Sequence, residues 1–193
     1  MKKIIVLLAI VCLLLAGCNM GRVYSMKDLD FSSDQAAIEA LTNFYFYKKD
    51  VLTEIKNELW KMDDLSYWNK SKGYDDINIL TKEGEYGTWN IEDAPSNLRF
   101  NLDEYFNSLG QDDFSIVRLD HTRHSFKPGE DKEFTYVEFQ IDNPTIQTSS
   151  YWCIVFSPEY SLLQSDKKDN QKFVGWDAKI EGDWYVFRSD YVV

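Results

Sequence analysis

The chain has 193 residues, 44 % hydrophobic and 27 % charged, with 21 Lys and Arg against 32 Asp and Glu for a formal net charge of -11. That length suits one domain, and the apolar content excludes a chain left disordered for want of a core. The acidic balance argues for no nucleic acid among its partners, because a binder of the phosphate backbone gathers Lys and Arg on one face.

Met1-Lys2-Lys3 gives a basic start, Ile4 to Leu15 is an unbroken apolar run, and Leu15-Ala16-Gly17-Cys18 follows with small residues ahead of a cysteine. The run is shorter than the roughly 20 residues of a membrane-spanning helix and has the length of a signal-peptide core. Charge, apolar length, small residues and cysteine come in the order of a bacterial lipoprotein signal peptide, which the segment resembles down to its lipobox. The resemblance implies a leader over residues 1–17, cleavage between Gly17 and Cys18, and a diacylglyceryl group on Cys18. The protein would then be a membrane lipoprotein, held on the lipid bilayer at the extracytoplasmic side through Cys18. An uncleaved apolar anchor and an ordinary secretory leader are the alternatives.

Removing residues 1–17 takes away Lys2 and Lys3, so 19 basic residues face 32 acidic ones, a net of -13. Such a domain is repelled by anionic headgroups, which leaves the holding to the lipid. Cys12 goes with the leader and Cys18 carries lipid, so Cys153 has no intramolecular disulfide partner. Its setting, Tyr151-Trp152-Cys153-Ile154-Val155-Phe156, is that of a small buried apolar residue.

Residues 18–31 read as a lipid-bearing tether and residues 32–193 as a single α+β domain. Ser32-Ser33-Asp34-Gln35 fits a capping box, with a Ser capping the helix and Gln reaching back. Ile38, Leu41, Tyr45, Leu52, Ile55, Leu59 and Met62, with Ala37, Phe44 and Val51 beside them, draw one stripe on a long helix from about Ala36 to Met62. The helix must span the domain or bend, and Lys48-Lys49-Asp50 is the natural bend. The aromatics Phe44, Tyr45, Phe46, Tyr47 and Trp60 read as core at this spacing.

Between Asp63 and Asp93 the glycines and scattered aromatics suggest short elements joined by turns, with one strand near Ile77 to Leu80. A second helix is expected from Pro95 to Gly110, burying Leu98, Leu102, Tyr105, Phe106 and Leu109. The period then changes to two. Five strands are expected over 114–119, 134–141, 151–156, 173–180 and 184–191, pairing in sequence as an antiparallel meander. Turns fall at Pro128-Gly129, Asn143-Pro144 and Glu181-Gly182-Asp183, and Gln164 to Lys172 reads as a polar loop. Leu41, Leu52, Ile55, Leu102, Phe106, Val137, Phe139, Ile154 and Trp184 are the expected core.

The result is α+β, with a long N-terminal helix and a second helix packed on a curved, mainly antiparallel sheet of about five strands. This order, with Gly175-Trp176-Asp177-Ala178-Lys179-Ile180 and Asp183-Trp184-Tyr185-Val186-Phe187 at the end, resembles the cone-shaped domains of the nuclear-transport-factor-like and cystatin-like groups. Those folds host enzymes, binding modules and assembly parts alike.

Candidate chemistry is confined to Asp120-His121-Thr122-Arg123-His124, where two imidazoles and a carboxylate offer a general base with its orienting acid or part of a metal site. Residues three apart on a strand face opposite ways, so solvated loop histidines explain the cluster as well. Asp166-Lys167-Lys168-Asp169-Asn170 lacks the spacing of a calcium loop and reads as a solvated turn. No cofactor motif is present.

Strands apolar on both faces, such as 151–156 and 184–187, need two covers. One is the long helix; the second is the region Asp63 to Asp93, a ligand cavity or a protein partner. The expected function is a noncatalytic binding or envelope-accessory module, with a protein or small-molecule ligand on an aromatic sheet surface of Trp152, Phe156, Trp184 and Phe187. The alternative is a small hydrolase or lyase with Asp120, His121 and His124 in a cone-shaped pocket.

Overall fold

The computed structural model describes residues 29–62, 65–71, 76–82, 84, 86–90, 114–125, 131–141, 150–169 and 173–190. The leader, Cys18, the helix expected over 95–110 with Leu102 and Phe106, and the turns at 128–129 and 143–144 lie outside these residues.

Helix α1 runs without interruption over Asp34–Trp60, through Lys48-Lys49-Asp50. Its cap is Ser33, one residue later than the box expected from Ser32: Ser33 is extended, and its hydroxyl accepts from the backbone N-H of Ala36 at 3.2 Å. Ala37, Leu41, Phe44, Tyr45, Leu52, Ile55 and Leu59 are buried along one stripe. Phe46 and Tyr47, expected in the core, are instead 51 % and 44 % exposed. Four consecutive helical residues sweep about 300° at 3.6 residues per turn, so Phe44 to Tyr47 cannot all face one sheet. Leu29 and Phe31, expected in the tether, pack against the core, which moves the folded boundary toward the N terminus.

The fold is α+β, and the described residues contain eight strands where about five were expected. They are β1 (Leu65–Ser71), β2 (Asp76–Thr81), β3 (Tyr86–Asn90), β4 (Phe114–Ser125), β5 (Asp131–Ile141), β6 (Ser150–Phe156), β7 (Phe173–Glu181) and β8 (Trp184–Asp190). All pairings are antiparallel, in the order β3-β2-β1-β4-β5-β6-β8-β7. The extra strands β1 to β3 come from the region after Asp63, where one strand near Ile77 to Leu80 was expected, and they extend the sheet beyond β4.

The order also departs from a simple meander, since β6 pairs with β8. The segment Gln164 to Lys172, read as a loop, lies largely in helix α2 (Tyr160–Asp169), which connects β6 to β7. Crossing the sheet by way of a helix carries β7 one strand further out. A tight turn at Gly182, with φ at +50°, then folds β8 back into the gap. The helix start was signalled by Ser157-Pro158-Glu159, where Pro lies just ahead of the first turn and Glu159's carbonyl accepts from Leu162 and Leu163.

Strand alternation divides the interior in two. Trp68, Leu119, Val137, Phe139, Ile154, Trp184 and Val186 pack beneath α1. On the opposite face Phe134, Tyr136, Tyr151, Cys153, Val155 and Phe187 pack with Leu163 of α2. The second cover of the two-faced strands is therefore α2. Tyr160 fixes it, stacking on Tyr185 at 3.7 Å and donating to Asp177.

Two polar contacts tie α1 to the last strands. Arg188 Nη1 donates to Asp34 Oδ1 at 2.8 Å. Tyr45 Oη donates to Glu181 Oε1 at 2.8 Å, and Lys49 pairs with the same oxygen. These bonds, from Lys49 first and then Tyr45, hold the Glu181 carboxyl below its ordinary 4.5. A carboxyl with a depressed folded-state value contributes stability that is present above its unfolded value and lost as pH falls through the folded one. Thermal unfolding should thus show Glu181→Gln less stable than the native chain at neutral pH, with the gap closing once pH falls below about 4.5. A gap of constant size down to the acid limit would contradict the assignment.

Candidate functional site

The sequence cluster Asp120 to His124 lies wholly within β4, which runs to Ser125, and not on a loop. Alternation separates its members. Asp120 pairs across with Tyr136, whose hydroxyl donates to Asp120 Oδ2 at 3.0 Å on the α2 side. His121 pairs with Thr135, and its Nδ1 lies 2.5 Å from Thr135 Oγ1. His124 pairs with Lys132 through its backbone; its side chain is outside the described set. Asp120 and His121 therefore project from opposite faces of one strand and do not meet as acid and base.

His121 opens into a half-enclosed cavity of about 500 Å³ lined by Trp60, Ser66, Lys82, His121, Glu133, Phe134, Thr135 and Glu159. The lining residues come from several elements, three of them from β5. Trp60 closes α1, Lys82 follows β2, Glu133 to Thr135 lie near the start of β5, and Glu159 immediately precedes α2. Ser66 enters through a break in register. Leu65 pairs with Thr81 and Tyr67 with Leu80, which leaves Ser66 as the extra residue of a β-bulge. The bulge explains how Leu65 and Trp68, three apart, share the core under α1, and it aims a hydroxyl at the cavity.

Trp60 is half-buried, with Phe156 packed against it edge to face at 5.2 Å. That contact sets the indole's tilt and leaves part of it to the cavity. Lys82, Glu133 and Glu159 are exposed at the rim, while Thr135 and His121 are half-buried further in.

The other polar constellation lies on the opposite face of β1, β4 and β5. Glu138, fully buried, is 3.8 Å from Arg118 Nη1, and Arg118 sits 5.9 Å from the Tyr67 ring centroid. Asn69 and Gln140 are buried on adjoining strands. Burial alone would lower the Arg118 guanidinium, but the Glu138 carboxylate and neighbouring tyrosines outweigh it and hold Arg118 firmly charged. Burial first, then the charges of Asp120 and Glu138, push the Tyr136 hydroxyl up, so it stays a donor.

Among the described residues no group of three or more His, Cys, Asp or Glu is placed to hold a metal ion. The residues expected as an aromatic contact surface are largely interior: Trp152, Trp184 and Phe187 are buried and Phe156 is half-buried. Asp166, expected in a solvated turn, is buried on α2, and Cys153 is buried as a free thiol. Ser66, Lys82, Glu133, Thr135 and Glu159 carried no local signal in the sequence, because only the fold gathers them. No family model, curated protein or solved structure matches the chain.

Proposed function

We propose that the protein is a lipid-anchored extracytoplasmic lipoprotein that works by binding, holding a small ligand without turnover in the cavity between Trp60 and His121. The observation that carries this reading is the cavity itself. It joins a half-buried indole to hydroxyl, imidazole and charged groups from several separate elements, and a β-bulge delivers one of them. That combination of apolar wall and few convergent polar groups is the ordinary make-up of a ligand site. The ordered leader features ending at Cys18 support the anchor, and among the described residues no helix is long and apolar enough to cross a membrane. A hydrolase or lyase using Asp120, His121 and His124 is the weaker reading, because Asp120 and His121 stand on opposite faces.

Two measurements on the full chain test the proposal. Cys18→Ala should leave the protein in the soluble fraction or with its leader uncleaved; membrane partition and processing identical to the native chain would defeat the anchor. Ligand screening by thermal shift should raise the melting temperature in a concentration-dependent way, as any ligand selective for the folded state must. Hydrolytic turnover abolished by His121→Ala would replace the binding reading with an enzymatic one.

A further inference from the structure

The chemistry of the cavity wall narrows the ligand class, an inference that rests on the binding reading above. The rim carries two carboxylates, Glu133 and Glu159, and one ammonium, Lys82. An anionic ligand meets the carboxylates and a polycation meets the ammonium. A hydroxyl group satisfies both, donating to a carboxylate and accepting from an ammonium. Ser66 and Thr135 likewise donate and accept, and His121 is held in place by its contact with Thr135. A wall of mixed donors and acceptors fits a ligand that presents many hydroxyls in several directions.

The apolar component is equally specific. Trp60, angled by Phe156, offers the cavity part of a large flat apolar surface. A pyranose ring is amphipathic: its C-H face is apolar and its rim is ringed by hydroxyls. Such a ring can lie against the indole while its hydroxyls turn toward Glu133, Glu159, Lys82 and the Ser66 and Thr135 hydroxyls. The volume of about 500 Å³ lies within the range of small-molecule sites.

We propose that the cavity is a saccharide site, taking a neutral sugar on Trp60 with its hydroxyls held by the Glu133, Glu159 and Lys82 rim. The test uses the full-length chain in a detergent without a sugar headgroup, titrated calorimetrically with cellobiose, maltose, lactose and diacetylchitobiose. Spermidine and citrate are the cationic and anionic arms. At least one disaccharide should bind saturably, with an affinity unchanged between low and high salt because the ligand is uncharged. Trp60→Ala should weaken that binding at least tenfold. Glu133→Gln, at an exposed position that leaves the melting temperature unchanged, should weaken it severalfold. Saturable binding of spermidine or citrate with none of the sugars would overturn the saccharide site while leaving the binding reading intact. Sugar binding indifferent to both substitutions would place it elsewhere and overturn the assignment. Absence of saturable binding in every arm would overturn both.

Discussion

Replacing Trp184 with alanine should cost about 3–5 kcal/mol of folding stability, the range for removing a buried aromatic and leaving a cavity. The ring is 6 % exposed and sits where α1 meets the sheet. Its centroid lies 5.2 Å from that of Tyr45, 6.0 Å from Phe139 and 5.3 Å from Phe156. Three rings from three elements converge on it, so no single neighbour can move in to fill the space without leaving its own contacts. Denaturant unfolding should show the midpoint falling with little change in slope. Phe46→Ala is the internal comparison: on α1, next to Tyr45 but half exposed, it should change stability by no more than about 0.5 kcal/mol. Equal losses at the two positions would mean that the stripe on α1 has been assigned to the wrong face.

Arg118→Ala should be as damaging, for a different reason. Glu138 is fully buried beside it, and taking away the guanidinium leaves a buried carboxylate without that compensating charge, a change that costs about 3–5 kcal/mol at buried pairs. The pair itself is not a large source of stability, since removing both charges from water offsets most of their attraction. The double replacement Arg118→Met with Glu138→Leu should therefore recover most of the loss. Double-mutant analysis of unfolding free energies reads this directly. A single Arg118→Ala variant within about 1 kcal/mol of the native chain would show that the pair is solvated in practice.

Periodicity made much of this legible. The stripe Leu41, Leu52, Ile55 and Leu59 specified which face of α1 is buried, and the alternation in 151–156 and 184–187 required a sheet covered on both sides. What occupied the second side was not legible. Helix α2 is short and half polar, with Asp166-Lys167-Lys168-Asp169 at its end, so its composition reads as a turn, and it is held by tertiary contacts of Leu163 and Tyr160. Of the first three strands only β2 was legible, as the strand near Ile77 to Leu80; β1 and β3 escaped notice because they are short and interrupted by residues such as Asn69, which the fold buries, and Gly87. The candidate site was the least legible part. His121 could be named from its residue type, but the side chains around it come from elements far apart in the chain, and the bulge at Ser66 is a feature of pairing with β2 that no local pattern encodes.

The fastening of Asp34 to Arg188 and of Tyr45 to Glu181, across sequence separations of 154 and 136 residues, also sets when this protein can fold. An isolated helix has little stability of its own, and the cover of α1 is spread along the chain, from Trp68 of β1 through Leu119, Val137, Phe139 and Ile154 to Trp184 and Val186 of β8. Such long-range closure must be completed before packing rewards it, which favours slow folding. A ribosome-bound chain ending after α2 would lack β7 and β8, and without Trp184 and Val186 part of the apolar stripe of α1 would stay uncovered, an adhesive surface for other chains. For a chain that, as proposed, is exported behind its leader, the same delay is useful: the polypeptide stays threadable until β8 has been made.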